Sequence, residues 1–344
     1  MLTLLCSPSR EDNISFIYSQ ISAFSKRKAL IIVPETHSHK AERRLLTQCG
    51  NPTGDRAAVI TFSKLAARVM EEANHAWETI DAGGKILLMH KAVKASASAL
   101  EYYKGAGERA DILSGLLSAV SEFRSCLIKP EALLSEMGNM NAKLRDISVI
   151  YSAYSSLCGS KAVYGSDIME MCLPHLEKSA TVNGRDIYIY GFEGFTAAEY
   201  NVIRRILNTS HETTVAISLG EDSMLFTEQI KTVSKLEMLA KDENIPLKKT
   251  APYKSSHKAA KCLEYVAESV FDFTKEPFEE DSKEIKLYSC KDPLEECDLV
   301  AGMCRRLVLE HGVRLRDIAV VTSDTEGYEK PLTESFSRYN LPLY

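Results

Sequence analysis

Short apolar runs alternate with amphipathic stretches along the first 75 residues. Leu2 to Cys6 predicts a buried strand, and Asn13 to Lys26 carries Ile14, Ile17, Ile21 and Phe24 at helical spacing. Ala29 to Val33 is a second apolar strand, closed by Pro34. His37 to Cys49 is helical and basic, with Lys40, Arg43 and Arg44. Ala57 to Phe62 is a third strand, and Ser63 is expected to cap a helix running to about Asn74. Strands separated by single helices imply crossover connections and a parallel sheet covered on its faces.

From Gly83 to about Lys178 the β-branched runs disappear and apolar residues fall three and four apart, which predicts a helical block. Ile112, Leu113, Leu116, Leu117, Val120 and Phe123 form one apolar face; Leu144, Ile147, Ile150, Tyr151 and Tyr154 form another. The α/β rhythm returns with a strand at Ile187 to Tyr190, a helix capped by Thr196, and a strand at Thr213 to Leu219. Five lysines between 246 and 261, then five carboxylates between 276 and 284, read as a solvated linker. Beyond it, Ile285 to Cys290 and Ile318 to Thr322 are expected strands, each followed by a helix, and the chain stops where another strand is due. The expected organisation is an α/β domain from 1–80 and 180–250, an inserted helical subdomain at 81–179, a charged linker at 251–284, and at 285–344 the beginning of a second α/β domain that is cut short.

Length and composition agree with this plan. The 344 residues suggest two or three domains, and 45% hydrophobic with 26% charged residues is ordinary for a chain with a buried core. A formal charge of −5 gives no general case for nucleic-acid binding, although an acidic body can carry a local basic groove. Nine cysteines without a C-x-x-C pair point to reduced thiols and no metal centre. No apolar run reaches the ~18 residues of a membrane span, and the N-terminus lacks the basic region of a signal peptide. A cytoplasmic protein with no membrane partner is expected.

Anions bind where a strand gives way to a helix N-terminus. A phosphate cradle there needs G-x-x-x-x-G-K-[ST], whereas this chain has Cys6-Ser7-Pro8-Ser9-Arg10-Glu11-Asp12-Asn13. Glycine and lysine are missing, Pro8 lacks an N–H, and Glu11 and Asp12 bring negative charge to the position of a triphosphate. Gly83-Gly84-Lys85 has Thr79 where the first loop glycine belongs, and it starts a helix. The strand Ile187 to Tyr190 ends in tyrosine where a magnesium-holding aspartate would stand. Glu193 and Glu199 read either as paired carboxylates or as a helix-start acid with an unrelated neighbour. Hydrolase signatures such as G-x-S-x-G and H-E-x-x-H are absent, so no catalytic residue is assigned. Thr61-Phe62-Ser63-Lys64-Leu65 with Arg68, at a strand-to-helix junction, is open to two readings. Hydroxyls, backbone N–H groups and cations can grip nucleic-acid phosphates while Phe62 stacks a base; equally, the segment is a capped helix with a core phenylalanine.

Taken together, these segments resemble the N-terminal, helicase-like part of the AddB/RexB subunits of bacterial AddAB-type ATP-dependent helicase–nucleases. The resemblance is carried by Leu4 to Asn13, by Ile31-Ile32-Val33-Pro34-Glu35, and by Val59 to Val69 around T-F-S-K-L. It continues through Tyr188 to Glu199, with G-F-x-x-F-T-x-x-E, then Glu295-Glu296 before the Leu299 to Leu309 helix, and Arg316 to Val321. It implies a superfamily-1 helicase-like, P-loop NTPase-like parallel-sheet domain with a helical insertion and the start of a second α/β domain. It also implies DNA-end processing in double-strand break repair by homologous recombination, with a nuclease domain bearing an iron–sulfur cluster lying beyond this segment. Cys6, Ser9, Glu11 and Asp12 occupy the glycine-rich loop positions and Tyr190 that of the aspartate, so no nucleotide cofactor is expected here and the motor would be an AddA-like helicase subunit. The role implied is to dock that subunit and guide single-stranded or end-opened double-stranded DNA. Thr61, Ser63, Lys64 and Arg68 are the candidate phosphate contacts and Phe62 the stacking surface. The alternative is an interaction scaffold that contacts only protein.

Overall fold

The computed structural model describes residues 1–23, 27–49, 56–75, 77–105, 107, 109–135, 142–159, 165–220, 225–251, 260–271 and 274–343. It divides into two compact units, Met1–Ser255 and Ser256–Tyr344. In the first unit the chain runs β1 (Leu2–Ser7), α1 (Arg10–Ala23), β2 (Ala29–Ile32), α2 (Ser38–Cys49), β3 (Ala57–Ile60) and α3 (Phe62–Glu72). A helical block follows: α4 (Ala82–Ser96), α5 (Ala110–Ser125), α6 (Pro130–Ser135), α7 (Ala142–Cys158) and α8 (Gly165–Cys172). The chain then re-enters the sheet through β4 (Asp186–Tyr190), α9 (Ala197–Thr209), β5 (Glu212–Ser218), α10 (Thr227–Asp242) and β6 (Leu247–Thr250).

The six strands form one all-parallel sheet in the order β3-β2-β4-β5-β1-β6. Parallel strands covered on both faces read as continuous apolar runs, which is the form of Leu30-Ile31-Ile32 and Val215-Ala216-Ile217. On one face Leu5, Ile31, Tyr190 and Ala216 pack against Ile17, Tyr18 and Ile21 of α1 and Ala41 and Leu45 of α2. On the other, Leu4, Ile32, Ile189 and Val215 pack against α3, α9 and α10 through Leu65, Val69, Val202, Ile206 and Leu236. Burying each such aliphatic side chain contributes about 1.5–3 kcal/mol. The helical block has its own core, with Val93, Leu116, Val120, Ile150 and Tyr154 at its centre. No described helix is long and apolar enough to cross a membrane.

In the second unit, α11 (Lys261–Ser269) is followed by α12 (Pro293–His311) and α13 (Thr325–Arg338). Asp292 caps α12 by accepting from the Glu295 N–H at 2.9 Å, and Gly312 ends it at φ +65°. Ala301, Cys304 and Phe336 join the two longer helices.

Three expectations change. Ile285 to Cys290 and Ile318 to Thr322 form no ladder among the described residues; Leu287 is 98% and Val321 91% exposed. Extended propensity becomes a strand only when a neighbour accepts its hydrogen bonds. The lysine run expected to be linker instead begins with β6, whose Lys248 and Lys249 stand at the sheet's edge beside β1, and a helix, α11, also falls within the expected linker. The rest of that run, 252–259, lies outside the described residues.

Candidate nucleic-acid interface

Every parallel strand ends on the same edge of the sheet, so the segments after β1, β2, β3, β4 and β5 meet there. The connection from β1 runs one way along the sheet and that from β5 the other, the reversal at which α/β sheets open a cleft.

The turn after β1 is only Pro8-Ser9, and its donors are used locally. The Ser9 N–H donates to Ser7 Oγ at 3.1 Å, and the Asp12 N–H donates to Ser9 Oγ at 3.1 Å. Cys6 and Ser7 belong to the strand, and burial pushes the Cys6 thiol up. Asn13 is 2% exposed and donates from Nδ2 to the Ile217 carbonyl at 3.2 Å. Glu11 is paired with Arg44 through two hydrogen bonds of 3.0 and 2.5 Å. Arg10 reaches across the edge, its Nη2 lying 3.1 and 3.2 Å from the two His37 ring nitrogens and donating to the Gly191 carbonyl at 3.4 Å.

Gly191 makes this approach possible. Its φ is +89°, and a Cβ there would stand 3.0 Å from Arg10 Nη2 and 3.2 Å from both His37 Nδ1 and Pro34 Cδ. Between α1 and α2 lies a cavity of about 200 Å³ lined by Arg10, Ile14, His37, Lys40, Arg44 and Tyr190. Arg44 is neutralised by Glu11, but neither Arg10 nor Lys40 has a carboxylate within 4.0 Å among the described residues. The cavity therefore holds two uncompensated cations. Burial, then the charges of Arg10 and Lys40, hold the His37 imidazole below its ordinary pKa. At the base, the Tyr18 hydroxyl donates to the Ala41 carbonyl at 2.9 Å, so the Tyr190 hydroxyl donates to Tyr18, also at 2.9 Å. Burial pushes both phenols up. A second cavity of about 270 Å³, reaching Asn13, Phe192, Glu193, Ser218 and Phe226, shares Arg10 and Tyr190 with the first.

The T-F-S-K-L junction departs from expectation in two respects. Thr61, not Ser63, is the N-cap of α3: its hydroxyl accepts from the Lys64 N–H at 3.3 Å and donates to Glu35 at 2.8 Å. Thr61 is 2% and Phe62 3% exposed, so neither the hydroxyl nor the ring is open to a ligand. Phe62 packs 5.4 Å from Phe192 and 6.2 Å from Phe195, ring centre to ring centre, which corrects its reading as a stacking surface. Ser63 is half-buried, while Lys64 and Arg68 are exposed. Lys64 is in the first turn of α3, at the cleft edge. Arg68 lies a turn further along, where its charge acts on Glu72 and on Arg185 just before β4. The structure thus brings Arg10, His37 and Lys40 together at one cavity, leaves Lys64 on the helix that covers the sheet's other face, and sets Arg68 a turn further along. Sequence reasoning missed His37 as a partner of Arg10, Lys40 beside them in the cavity, and the half-buried Phe192 as an aromatic lining the second cavity. The available signal was Gly191, a glycine directly after a buried strand. Glu199 completes a capping box with Thr196, accepting from its N–H at 2.7 Å, and burial raises its carboxyl.

Comparison with known proteins agrees with this architecture. The family described as "ADDB, N-terminal" matches residues 10–266. A protein of Clostridium botulinum (strain Langeland), named as the B subunit of an ATP-dependent helicase/deoxyribonuclease, is 25% identical over 96% of this chain and 30% of its own length. Proteins of the same name from Caldanaerobacter subterraneus subsp. tengcongensis and Acetivibrio thermocellus are 27% and 24% identical, over 92% and 95% of this chain and 29% and 30% of their own. The chain spans about 30% of the length of these relatives. With three quarters of its residues inside the family match, the chain belongs to the ADDB N-terminal family.

Proposed function

We propose that this chain is the non-motor, helicase-like part of an AddB-type component of an ATP-dependent helicase/deoxyribonuclease. In this reading it docks an AddA-like motor subunit and guides single-stranded DNA during end processing for recombinational repair. One observation carries it: the edge where a nucleotide-binding sheet would hold a triphosphate offers two uncompensated cations, Arg10 and Lys40, behind a two-residue turn with no phosphate cradle. Such a surface suits single phosphates of a backbone, met one cation at a time, and discriminates little between sequences. Tyr190, buried and hydrogen-bonded to Tyr18, brings no carboxylate to hold magnesium. Motor activity therefore falls to the partner, and this segment needs no nucleotide.

The test is single-stranded DNA binding by the intact protein at low salt, followed by fluorescence anisotropy. Replacing Arg10, Lys40 and Lys64 together by glutamine is expected to weaken binding at least tenfold with no change in thermal midpoint. Unchanged affinity contradicts the DNA reading and leaves a protein-only scaffold. Mg-ATP is expected to leave the midpoint in place; a ligand at 100 times its Kd would add about 2.7 kcal/mol and raise it.

A further inference from the structure

Away from the sheet edge, the helical block holds an exposed aromatic ring on a pinned turn. Tyr102, between α4 and α5, is 61% exposed. Beneath it Asp146 of α7, 0% exposed, accepts the backbone N–H groups of Glu101 at 2.9 Å, Tyr102 at 2.8 Å and Tyr103 at 2.9 Å. Hydrogen bonds to a carboxylate are roughly twice as strong as neutral ones, and three converging on one buried anion fix the turn's backbone. The Tyr103 ring meets Tyr102 edge-on, with centroids 5.0 Å apart and planes at 76°. Lys143 Nζ stands 5.9 Å from the centre of the Tyr102 ring. Lys104 and Glu101 of the same turn and Lys143 and Arg145 of α7 are exposed, and none of the three cations has a carboxylate within 4.0 Å among the described residues.

We propose that Tyr102 is a stacking platform for one base of single-stranded nucleic acid, with Lys143 and its neighbours meeting the flanking phosphates. The inference rests on the DNA-guiding reading above and adds a second contact, on the inserted helices. A rigid ring held in advance loses little entropy when a base settles on it. A tyrosine that anchors a protein partner is rimmed by contacts that exclude water. Here the ring's charged neighbour is Lys143, with Lys104 and Arg145 exposed on the same two segments, which complements a polyanion. Stacking on a ring face is indifferent to sequence, because every base has one.

The experiment measures binding of a short oligodeoxythymidylate to the intact protein. Tyr102→Ala is expected to weaken it about tenfold, Tyr102→Trp to restore it, and Lys143→Gln to flatten its salt dependence; a strand carrying 5-iododeoxyuridine is expected to cross-link to Tyr102 on irradiation. Because the side chain is exposed, Tyr102→Ala should keep the thermal midpoint, which controls for folding. The triple glutamine variant of Arg10, Lys40 and Lys64 runs in parallel. If it loses binding while Tyr102→Ala binds like the wild type, the platform is overturned and the edge stands. If neither variant loses binding, both ideas fall. Unchanged DNA affinity with impaired assembly on the motor subunit also overturns the platform, in favour of a protein contact.

Discussion

Gly191→Ala tests how the cleft is built. The backbone at φ +89° lies where an L side chain is strained, at a cost of about 1–3 kcal/mol. The added methyl would also sit 3.0 Å from the Arg10 guanidinium and 3.2 Å from the His37 ring and Pro34. The arginine tip can swing away cheaply; the imidazole and pyrrolidine cannot, and crowding them adds about 1 kcal/mol. The expected loss is thus about 2–4 kcal/mol, lowering the thermal midpoint by roughly 5–10 °C. Urea unfolding followed by tryptophan fluorescence suits this case, because the single tryptophan, Trp77, packs against the core of the sheet. His37→Ala removes a contact that cannot swing away, so the two substitutions should couple by about 0.5 kcal/mol or more in a double-mutant cycle. A loss below about 0.5 kcal/mol for Gly191→Ala would refute the reasoning.

Other outcomes follow from the same geometry. Thr61→Ala removes the α3 cap and the bond to Glu35 and should cost about 1–2 kcal/mol in urea unfolding, while Thr61→Ser retains most of it. Asp146→Ala strands three backbone N–H groups and is expected to cost about 3 kcal/mol, with faster amide exchange confined to the 101–103 turn. His37 has a folded pKa below its ordinary 6.5, so the unfolded chain takes up the proton first as pH falls below that value. Stability should fall with acid in that window, His37→Gln should remove that part of the dependence, and DNA should raise the His37 pKa in an NMR titration. A His37 pKa above 6.5 in the free protein contradicts the cationic cavity.

Five of the six strands were legible because parallel strands buried on both faces are continuous apolar runs, as in Leu30-Ile31-Ile32. β6 was not, since an edge strand with Lys248 and Lys249 carries the polarity of a linker. Segments 285–290 and 318–322 show the converse: the residue types favour extension, but no partner accepts their hydrogen bonds among the described residues. At the site, the defects of the turn at Cys6 to Asn13 were visible one residue at a time. The cavity beside it was not, because Arg10, His37, Lys40 and Gly191 come together only through the strand order. Thr61 and Ser63 are both acceptable caps, and the choice rests on which hydroxyl faces the Lys64 N–H. Phe62 shows why an aromatic at a strand end is ambiguous: only packing reveals whether its faces are covered.

On the proposed function, the carboxyl edge of the sheet meets the phosphates of a strand in place of a triphosphate. The most direct measurement of this claim is the salt dependence of single-stranded DNA affinity for the intact protein and for Arg10→Gln with Lys64→Gln. Each lost phosphate contact flattens the logarithmic slope by about 0.7, so the double variant should be shallower by about 1.4. An identical slope for the two proteins would contradict the claim.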